Sequence, residues 1–527
     1  MGFKEDWSHS TPFFIYCVTT YALADLVFGI DSSIFGSLQA LPSWLNVFGH
    51  EIGGKMALST YQKAICNSII FLGRLVGTGS FEPIVERFGY KPLLYSSAVL
   101  QCVAVIIQMT AKDWVTFTIG RVFGYVVVGW IESSVPTYSA EIAPPSLRGF
   151  AAGLVTPMNT IGAVWGSGMC RAYATTTTKK GYLIPTGVQL APAVLLALML
   201  PFTAESPRWL VGRGRKEEAL RNLRKLRTKS HVAAGLCEAE IELIDKAIEF
   251  DKENNTARWL DLFGKKYLRR TVYTALLFFF YTTSGNSFYA AYGPSFLVSI
   301  GLGAKSFTYA TLVQVIGAVG ALQAIFLTDR VGRRPLCIFG ASLLILFDCL
   351  IAGLGSSSLR TTTANNVVVA SFILLIWSEK ISWATHAYMM GAEFGGIRMR
   401  KKLMMVGTTS DLICNWAVSF CSPYIMNKPY GGIGGKVGYV WGGSAALSLL
   451  FAIFCLPETK GRALEEMDEL FSRYRWGWEY SKVQTQGVGA TIAELEYARA
   501  DAAIEYKVDE FEDPNKKDET HEAVVSV

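Results

Sequence analysis

Ionisable side chains lie inside several long apolar stretches of this 527-residue chain. Asp31 stands in FGIDSSIFG, Arg121 stands in GRVFG, and Glu132 follows Arg121 by about three helical turns. A carboxyl group beside an arginine can change its protonation when the pair forms or breaks, because a nearby cation favours the charged carboxylate. We therefore predict that Asp31 takes up and releases a proton beside Arg121, and that Glu132 lines the cavity or forms part of a second proton site. A static ion pair or polar contact is the alternative for each.

These residues need elements that hold them in an apolar environment. The chain is 51% hydrophobic and 17% charged, with a mean hydropathy of +0.30, and its charge is concentrated in short blocks. Stretches of about 20 apolar residues cross the hydrocarbon core of a bilayer as helices. The sequence therefore predicts an all-α membrane protein with twelve transmembrane helices, at 13–36, 60–80, 92–111, 114–138, 149–170, 183–203, 271–296, 306–328, 335–355, 367–390, 403–426 and 437–456.

The longest polar segment between spans sets the predicted orientation. Residues 205–268 are rich in lysine and arginine at both ends, so the positive-inside rule places this segment in the cytosol. With six spans on each side, both termini are expected in the cytosol, and the first span acts as an uncleaved anchor. The predicted organisation is a cytosolic N-terminus (1–12), a first six-helix half (13–203), a linker with helices (204–270), a second six-helix half (271–456) and a cytosolic tail (457–527).

Three short motifs occur twice, about 243–253 residues apart. ERFGYKPL at 86 matches DRVGRRPL at 329, SAEIAPPSLRG matches GAEFGGIRMRK, and AESPRWL matches PETKGR. The repeat indicates two parallel six-span halves, the architecture of major facilitator transporters.

All of the repeated motifs fall on the predicted cytosolic face and combine acids with arginines. A short loop needs only one or two cations, so simple orienting charges are a weaker explanation than a network of ion pairs between the halves. Each exposed pair is worth only about 0–1 kcal/mol, but a network can bias two states of similar energy. The predicted cytosolic gate comprises Glu86, Arg87, Glu141, Arg148, Glu205, Arg208, Asp329, Arg330, Arg333, Arg334, Glu393, Arg400 and Glu458.

The motifs DRVGRRPL, GRVFGYVVVG, VPTYSAEIAPPSLRG, AESPRWL and PETKGRALEEMDELF together resemble the sugar porter family of the major facilitator superfamily. NKPYGGIGGKVGYVWGG is similar to the region before the last span in fungal maltose and hexose permeases. The resemblance covers about residues 13–475. It implies alternating access, a sugar bound between the halves near mid-membrane, and the Asp31 motif of proton-coupled members. The implied protein is a plasma-membrane sugar transporter, a sugar:proton symporter.

Substrate residues are carried over by position in the family's motifs, several with a changed side chain. Thr156 stands at a sugar-binding amide in the fifth span, Tyr281 and Thr282 stand at paired glutamines in the seventh, and Gly317 replaces an asparagine. Aromatic rings can stack on sugar faces while polar groups bind the hydroxyls. Motif position and side-chain chemistry together predict a substrate site formed by Thr156, Asn159, Tyr281, Thr282, Asn286, Tyr292, Tyr388, Asp411 and Asn415. Packing at a helix interface is the alternative for Tyr292 and Tyr388.

Other classes of function find little in the sequence. No nucleophile and base combination or cofactor motif indicates an enzyme, and His50 and His386 have no clustered partners for a metal. The cations lie in loops, so the net charge of +6 does not indicate nucleic-acid binding. The expected partners are a mono- or disaccharide, protons and the lipid bilayer. The protein is expected to be a monomer and to need no cofactor. The alternatives are a sugar-sensing receptor on the same fold with little transport, and a transporter of a polyol or acid.

Overall fold

The computed structural model of the protein describes residues 11–52, 54–144, 154–233, 235–254, 258–356, 361–460, 467, 470–471 and 477–479. Arg148 of the predicted gate, the sequence 480–527 and the first ten residues lie outside these ranges.

The first half consists of nine α-helices, a 3-10 turn and a small hairpin within the described ranges. The helices are α1 Pro12–Leu38, α2 Pro42–Phe48, α3 Thr60–Ser68, α4 Ile70–Phe88, α5 Tyr90–Thr110, α6 Trp114–Ile142, α7 Val155–Ala172, α8 Lys180–Gly187 and α9 Leu190–Met199, continued by the 3-10 turn Leu200–Phe202. Antiparallel strands β1 His50–Ile52 and β2 Lys55–Ala57 lie between α2 and α3, with Glu51 opposite Met56.

Four helices of the connecting segment follow, and then the second half. The connecting helices are α10 Pro207–Gly212, α11 Lys216–Leu226, α12 Lys229–Ala233 and α13 Leu236–Asn254, followed by the 3-10 turn Trp259–Phe263. The second half contains α14 Leu268–Thr283, α15 Asn286–Leu297, α16 Lys305–Val331, α17 Arg333–Gly355, α18 Thr362–Glu379, α19 Thr385–Phe394, α20 Gly396–Met426 and α21 Val437–Phe454, with π-turns at Val298–Leu302 and Lys380–Ala384 and a 3-10 turn at Gly434–Lys436.

Each of the twelve predicted spans coincides with one of these helices or with a consecutive pair. In the described part of the chain, nine helical segments are long and apolar enough to cross a membrane by those two criteria alone. The other three predicted spans are α7, the pair α14 and α15, and α20. The seventh span is interrupted at Gly285, whose φ of 102° favours glycine, and α20 carries Asp411 halfway along its length. These three spans contact the other half of the molecule, where polar side chains have partners.

The helices pack first within each half. In the first half α1 packs on α7, and α4 and α5 both pack on α6; in the second half α17 packs on α18 and α21, and α14 packs on α20. Gly29 lets α1 approach α7 closely, because a Cβ atom there would lie 1.9 Å from the backbone oxygen of Asn159. Between the halves, α1 contacts α15, α3 contacts α20 and α7 contacts α16.

The connecting helices form a small helical layer with its own apolar core, which includes Leu210, Leu223 and Cys237. Arg227 ties this layer to the first half, since its Nη1 donates to the backbone oxygen of Ile142 (2.9 Å) and its Nη2 lies 2.6 Å from Glu240. This layer marks one side of the molecule, called the linker side below, and the opposite side is called the far side.

Candidate functional site

The far-side ends of the two halves are in contact. The Gln39 side chain at the end of α1 donates to the backbone oxygen of Ala291 on α15 (2.5 Å) and accepts from the Asn67 amide (3.0 Å). The Tyr292 hydroxyl lies 3.3 Å from the backbone oxygen of Lys63 in the other half and 2.6 Å from that of Ser419 in its own. Tyr292, a predicted substrate residue, is therefore part of this contact.

A cavity of about 160 Å³ lies beneath this contact, between the halves. Helices α1, α3, α4 and α6 of one half and α15 and α20 of the other supply its walls. The lining residues are Phe28, Ser32, Phe35, Gly36, Asn67, Ile70, Phe71, Arg74, Arg121, Tyr125, Val128, Asn286, Ser287, Ala290, Ala291, Asn415 and Ser419. The cavity therefore combines aromatic rings with hydroxyl, amide and guanidinium groups, the mixture that suits a polar ligand with apolar faces.

Asp31 and Arg121 are both buried beside this cavity, but no ion pair within 4.0 Å joins them in the described structure. The Arg121 Nη1 donates to the backbone oxygen of Cys66 (2.7 Å), and its guanidinium carbon lies 3.6 Å from the centre of the Phe35 ring. The Oδ2 atom of Asp31 is buried without a hydrogen-bond partner. The predicted pair is thus separated here, with the cation held by a carbonyl group and an aromatic face.

Glu132, the second predicted proton site, is paired with Arg74. Its carboxylate accepts two hydrogen bonds from Arg74 of α4, at 2.8 Å from Nε and 2.6 Å from Nη2. The same Nη2 lies 3.5 Å from Asp411 in the second half. Asp411 also accepts from the Thr282 hydroxyl (2.7 Å) and the Asn415 amide (2.8 Å) through its other oxygen. Asp411, Thr282 and Asn415, three of the predicted substrate residues, therefore lie together.

The remaining predicted substrate residues are spread around this centre. Asn286 and Asn415 line the cavity, and the Asn415 amide oxygen accepts from Ser287 (2.6 Å). Tyr281 and Tyr388 pack edge to face with their ring centres 6.1 Å apart. On α7, Thr156 is exposed, whereas the Asn159 amide nitrogen is buried without a hydrogen-bond partner.

On the linker side, the first copy of the repeated motifs forms one cluster. The two carboxylate oxygens of Glu205 accept from the backbone N–H groups of Tyr90 and Lys91 (3.1 Å each) at the start of α5. Burial raises the pKa of Glu205, although these N–H groups lower it. Glu141 accepts from the Tyr90 hydroxyl (3.0 Å) and the Ser206 hydroxyl (2.5 Å). Two predicted gate acids thus bind the start of one helix within the first half.

The second copy forms an equivalent cluster in the second half. Glu458 accepts from the backbone N–H groups of Arg333 and Arg334 (3.1 Å each) at the start of α17. The Arg333 side chain lies 3.3 Å from Glu393. This contact is equivalent to the one between Tyr90 and Glu141 in the first copy. Arg334 donates to the backbone oxygen of Ile453 (2.8 Å). The recurrence of this arrangement gives the sequence repeat a structural meaning.

The other gate residues lie around these clusters. Backbone oxygens of Glu86 and Arg330 accept from Trp209 (3.2 Å) and Lys460 (2.7 Å), and the Arg87 guanidinium lies 5.4 Å from the Phe88 ring. Arg208 and Arg400 are exposed, and the Asp329 side chain lies outside the described structure. Among fully described pairs, the gate residues bind partners in their own half, where the sequence predicted pairs between the halves. The first N–H groups of a helix have no acceptor within the helix, so nearby carboxylates of the same half accept their hydrogen bonds.

Sequence reasoning missed Arg74 and Ser287. Arg74 was not assigned to the site from the sequence, yet it lies halfway along the segment Thr60–Phe88 and joins two predicted site residues. The available signal was its central position in an apolar helix, which excludes extension of the side chain to either interface. Ser287 follows Asn286 directly and had no charge to mark it.

Comparison with known proteins places this geometry in a family. A family model described as "Sugar (and other) transporter" matches residues 17–471. The chain belongs to this family. The resemblance found in the motifs is confirmed, and the chain is a multi-pass membrane protein of the transporter type.

Relatives and solved structures agree with this assignment. The major facilitator-type transporter ecdD of Aspergillus rugulosus is 28% identical over 92% of both chains. The high glucose sensor RGT2 of Saccharomyces cerevisiae is 26% identical over 86% of this chain and 60% of the sensor. An inward-open structure of the Escherichia coli xylose transporter XylE has a TM-score of 0.71 at 21% identity, covering 87% of this chain and 99% of XylE. The predicted all-α fold with two six-helix halves, the major facilitator fold, is confirmed.

Proposed function

We propose that this protein carries a sugar across the plasma membrane by alternating access, together with a proton. The observation that carries the proposal is the polar cavity between the halves, closed by helix contacts on the far side. With the linker side and both termini in the cytosol, this arrangement faces inward. The protein acts as a monomeric transporter for a mono- or disaccharide and not as an enzyme.

The substrate site lies where the second half presents hydroxyl and amide groups to the cavity. Asn286 and Asn415 line it directly, and Thr282 and Asp411 extend the hydrogen-bonded row on the same side. Thr156, Asn159, Tyr281 and Tyr388 complete the site on the linker side of the cavity. Hydroxyl groups of a sugar both donate and accept, so a mixture of amide, hydroxyl and carboxylate partners suits them.

Proton coupling is assigned to the buried charges of the first half. Asp31 and Arg121 lie beside the cavity without a mutual ion pair, so a cycle that brings them together and separates them changes the environment of the carboxyl group. A related fold occurs in XylE, described as a proton:xylose symporter, at 22% identity. Glu132 is the second candidate for carrying the proton.

The acid–arginine clusters of the linker side are proposed as the cytosolic gate. Each cluster holds together one half in this inward-facing arrangement. Exposed members such as Arg208 and Arg400 can approach the opposite half when the linker side closes. Their exchange of partners would favour the outward-facing state.

Uptake of a labelled sugar panel in a transport-deficient yeast tests the proposed function. We expect at least one sugar to enter faster than in cells without the protein. Asn286→Ala and Asn415→Ala should raise the half-saturation concentration about two- to twelvefold, because a neutral hydrogen bond contributes about 0.5–1.5 kcal/mol. Asn46→Ala, at an exposed position of α2 outside the cavity lining, is the matched control. Uptake at background level for every sugar would overturn transport.

A sensing receptor is the second candidate. The similarity to a glucose sensor and the changed residues Tyr281 and Thr282 favour it. The described geometry is the same for both functions, so binding and uptake must be measured together. Saturable sugar binding without uptake would indicate the receptor.

A further inference from the structure

One ion pair between fully described residues joins the two halves at the centre of the molecule. Arg74 lies halfway along the segment Thr60–Phe88 of the first half, and Asp411 lies halfway along α20 of the second. Arg74 Nη2 is 3.5 Å from Asp411 Oδ2, and the side chains are only 13% and 3% exposed. The contact lies just below the place where α3 packs on α20. It therefore depends on far-side closure of the halves.

The two partners of Arg74 hold it unequally. Glu132, in the same half as Arg74, accepts two hydrogen bonds at 2.6 and 2.8 Å, so the guanidinium stays with its own half when the halves separate. Asp411 is held in its own half too, because its Oδ1 accepts from Thr282 and Asn415. Separation of α3 from α20 thus leaves Oδ2 of Asp411 without its cation.

We propose that Arg74 competes with the substrate for Oδ2 of Asp411. The proposal rests on the proposed function, since it takes Asp411 and Asn415 as part of the sugar site. When the far side opens, Arg74 remains with Glu132, and Oδ2 accepts a hydrogen bond from a substrate hydroxyl. When the far side closes, the guanidinium returns and replaces that hydroxyl.

This exchange makes the two orientations of the site chemically different. An ionised acceptor binds a hydroxyl group more strongly than a neutral one does, so the substrate is held best while Oδ2 is free. When the far side is closed, Oδ2 of Asp411 is paired with the guanidinium of Arg74. The substrate therefore lacks this acceptor in the state from which it leaves toward the linker side. Arg74 is therefore a positioning residue that promotes release. Besides Arg74 and Glu132, the ionisable groups near Asp411 include Tyr281, Tyr388, Glu379 and Cys414.

The first test measures far-side closure without any sugar. Ala290→Cys places a thiol in the cavity wall, and a membrane-impermeant maleimide is applied to intact cells, with the chain lacking this cysteine as background. Adding Asp411→Asn should speed labelling about fivefold or more, the lower range of coupling between two sites, because the inter-half pair is lost. Adding Glu132→Gln, which leaves that pair in place, should not speed labelling.

The second test measures release. The double variant Arg74→Met with Glu132→Gln removes the competing cation and its partner together, so the net charge is unchanged. The half-saturation concentration for efflux should fall about tenfold relative to the half-saturation concentration for uptake. Arg74→Lys with Glu132 intact keeps a competing cation and should keep the difference between the two directions, which also guards against a misfolded double variant.

The outcomes separate this proposal from the proposed function. Unchanged labelling in Asp411→Asn together with unchanged efflux affinity in the double variant would make Arg74 a static counter-ion and overturn the competition. If the wild type moves no sugar, the proposed function fails, whereas the labelling of Ala290→Cys still decides whether the central pair supports far-side closure.

Discussion

At the scale of single residues, Asp31 and Arg121 show how far sequence reasoning reaches. The sequence identified both as charges inside apolar spans that can form a pair, but it did not predict their separation in this state. Arg121 finds the Cys66 carbonyl and the Phe35 ring, which belong to other helices. The partner of Arg74 in the other half was not identified for the same reason, since Asp411 lies 337 residues away. Partners of a buried charge follow from tertiary contacts, which one sequence does not contain.

Replacing Asp31 with asparagine tests the proton-coupling proposal. The amide of the new side chain resembles the protonated carboxyl group in shape and charge, so binding and the change of orientation should persist while proton release is lost. Asp31→Asn should therefore abolish concentrative uptake and spare exchange down a gradient. Uptake into vesicles with and without a pH gradient measures this. Glu51→Gln, an exposed acid of the hairpin, is the control, and gradient-driven accumulation by Asp31→Asn would exclude Asp31 as the coupling residue.

At the scale of elements, the repeated motifs anchor one helix start in each half. Gly89 and Gly332, with φ of 94° and 105°, precede α5 and α17 and allow the sharp turn from the previous helix. Glu205 and Glu458 then bind the free N–H groups of these helix starts. The repeat and its turns were readable from the sequence. The partners of the carboxylates could not be predicted, because a glutamate can either pair with an arginine or cap a helix, and the sequence does not distinguish the two.

These caps predict a loss of stability on neutralisation. Glu205→Gln and Glu458→Gln should each lower the free energy of unfolding by about 1–2 kcal/mol, because a carboxylate at a partly buried helix N-terminus complements the helix dipole and an amide does so only weakly. Thermal unfolding of the purified protein in detergent measures the change. Glu82→Gln, an exposed acid on α4, should have no such effect, and equal unfolding temperatures for all three variants would contradict the capping role.

At the scale of the whole molecule, the three predicted spans that lie outside the nine long apolar segments contact the opposite half. Helices α7, α15 and α20 meet α16, α1 and α3 respectively. The twelve spans were predictable from apolar length alone, because the lipid-facing surface requires it. No break was predicted in the seventh span, although Gly285 stands in the polar stretch TTSGNS. The helix contacts between the two halves depend on the transport state. They could therefore be identified only from the structure.

The far-side contact gives a prediction about the transport cycle as a whole. A Cβ atom on Gly36 of α1 would lie 2.6 Å from the backbone oxygen of Ala290 on α15, so a larger residue obstructs this crossing. Gly36→Val should prevent far-side closure, abolish uptake and efflux, and leave binding of external sugar intact, because only the outward-open arrangement avoids the clash. Gly79→Val, on α4, has no neighbouring atom within 4 Å of its added Cβ and should transport normally. A thiol introduced by Ser32→Cys should react with an external maleimide faster in the Gly36→Val background than in the Gly79→Val background. Normal uptake by Gly36→Val would show that the halves move past each other without closing at this crossing.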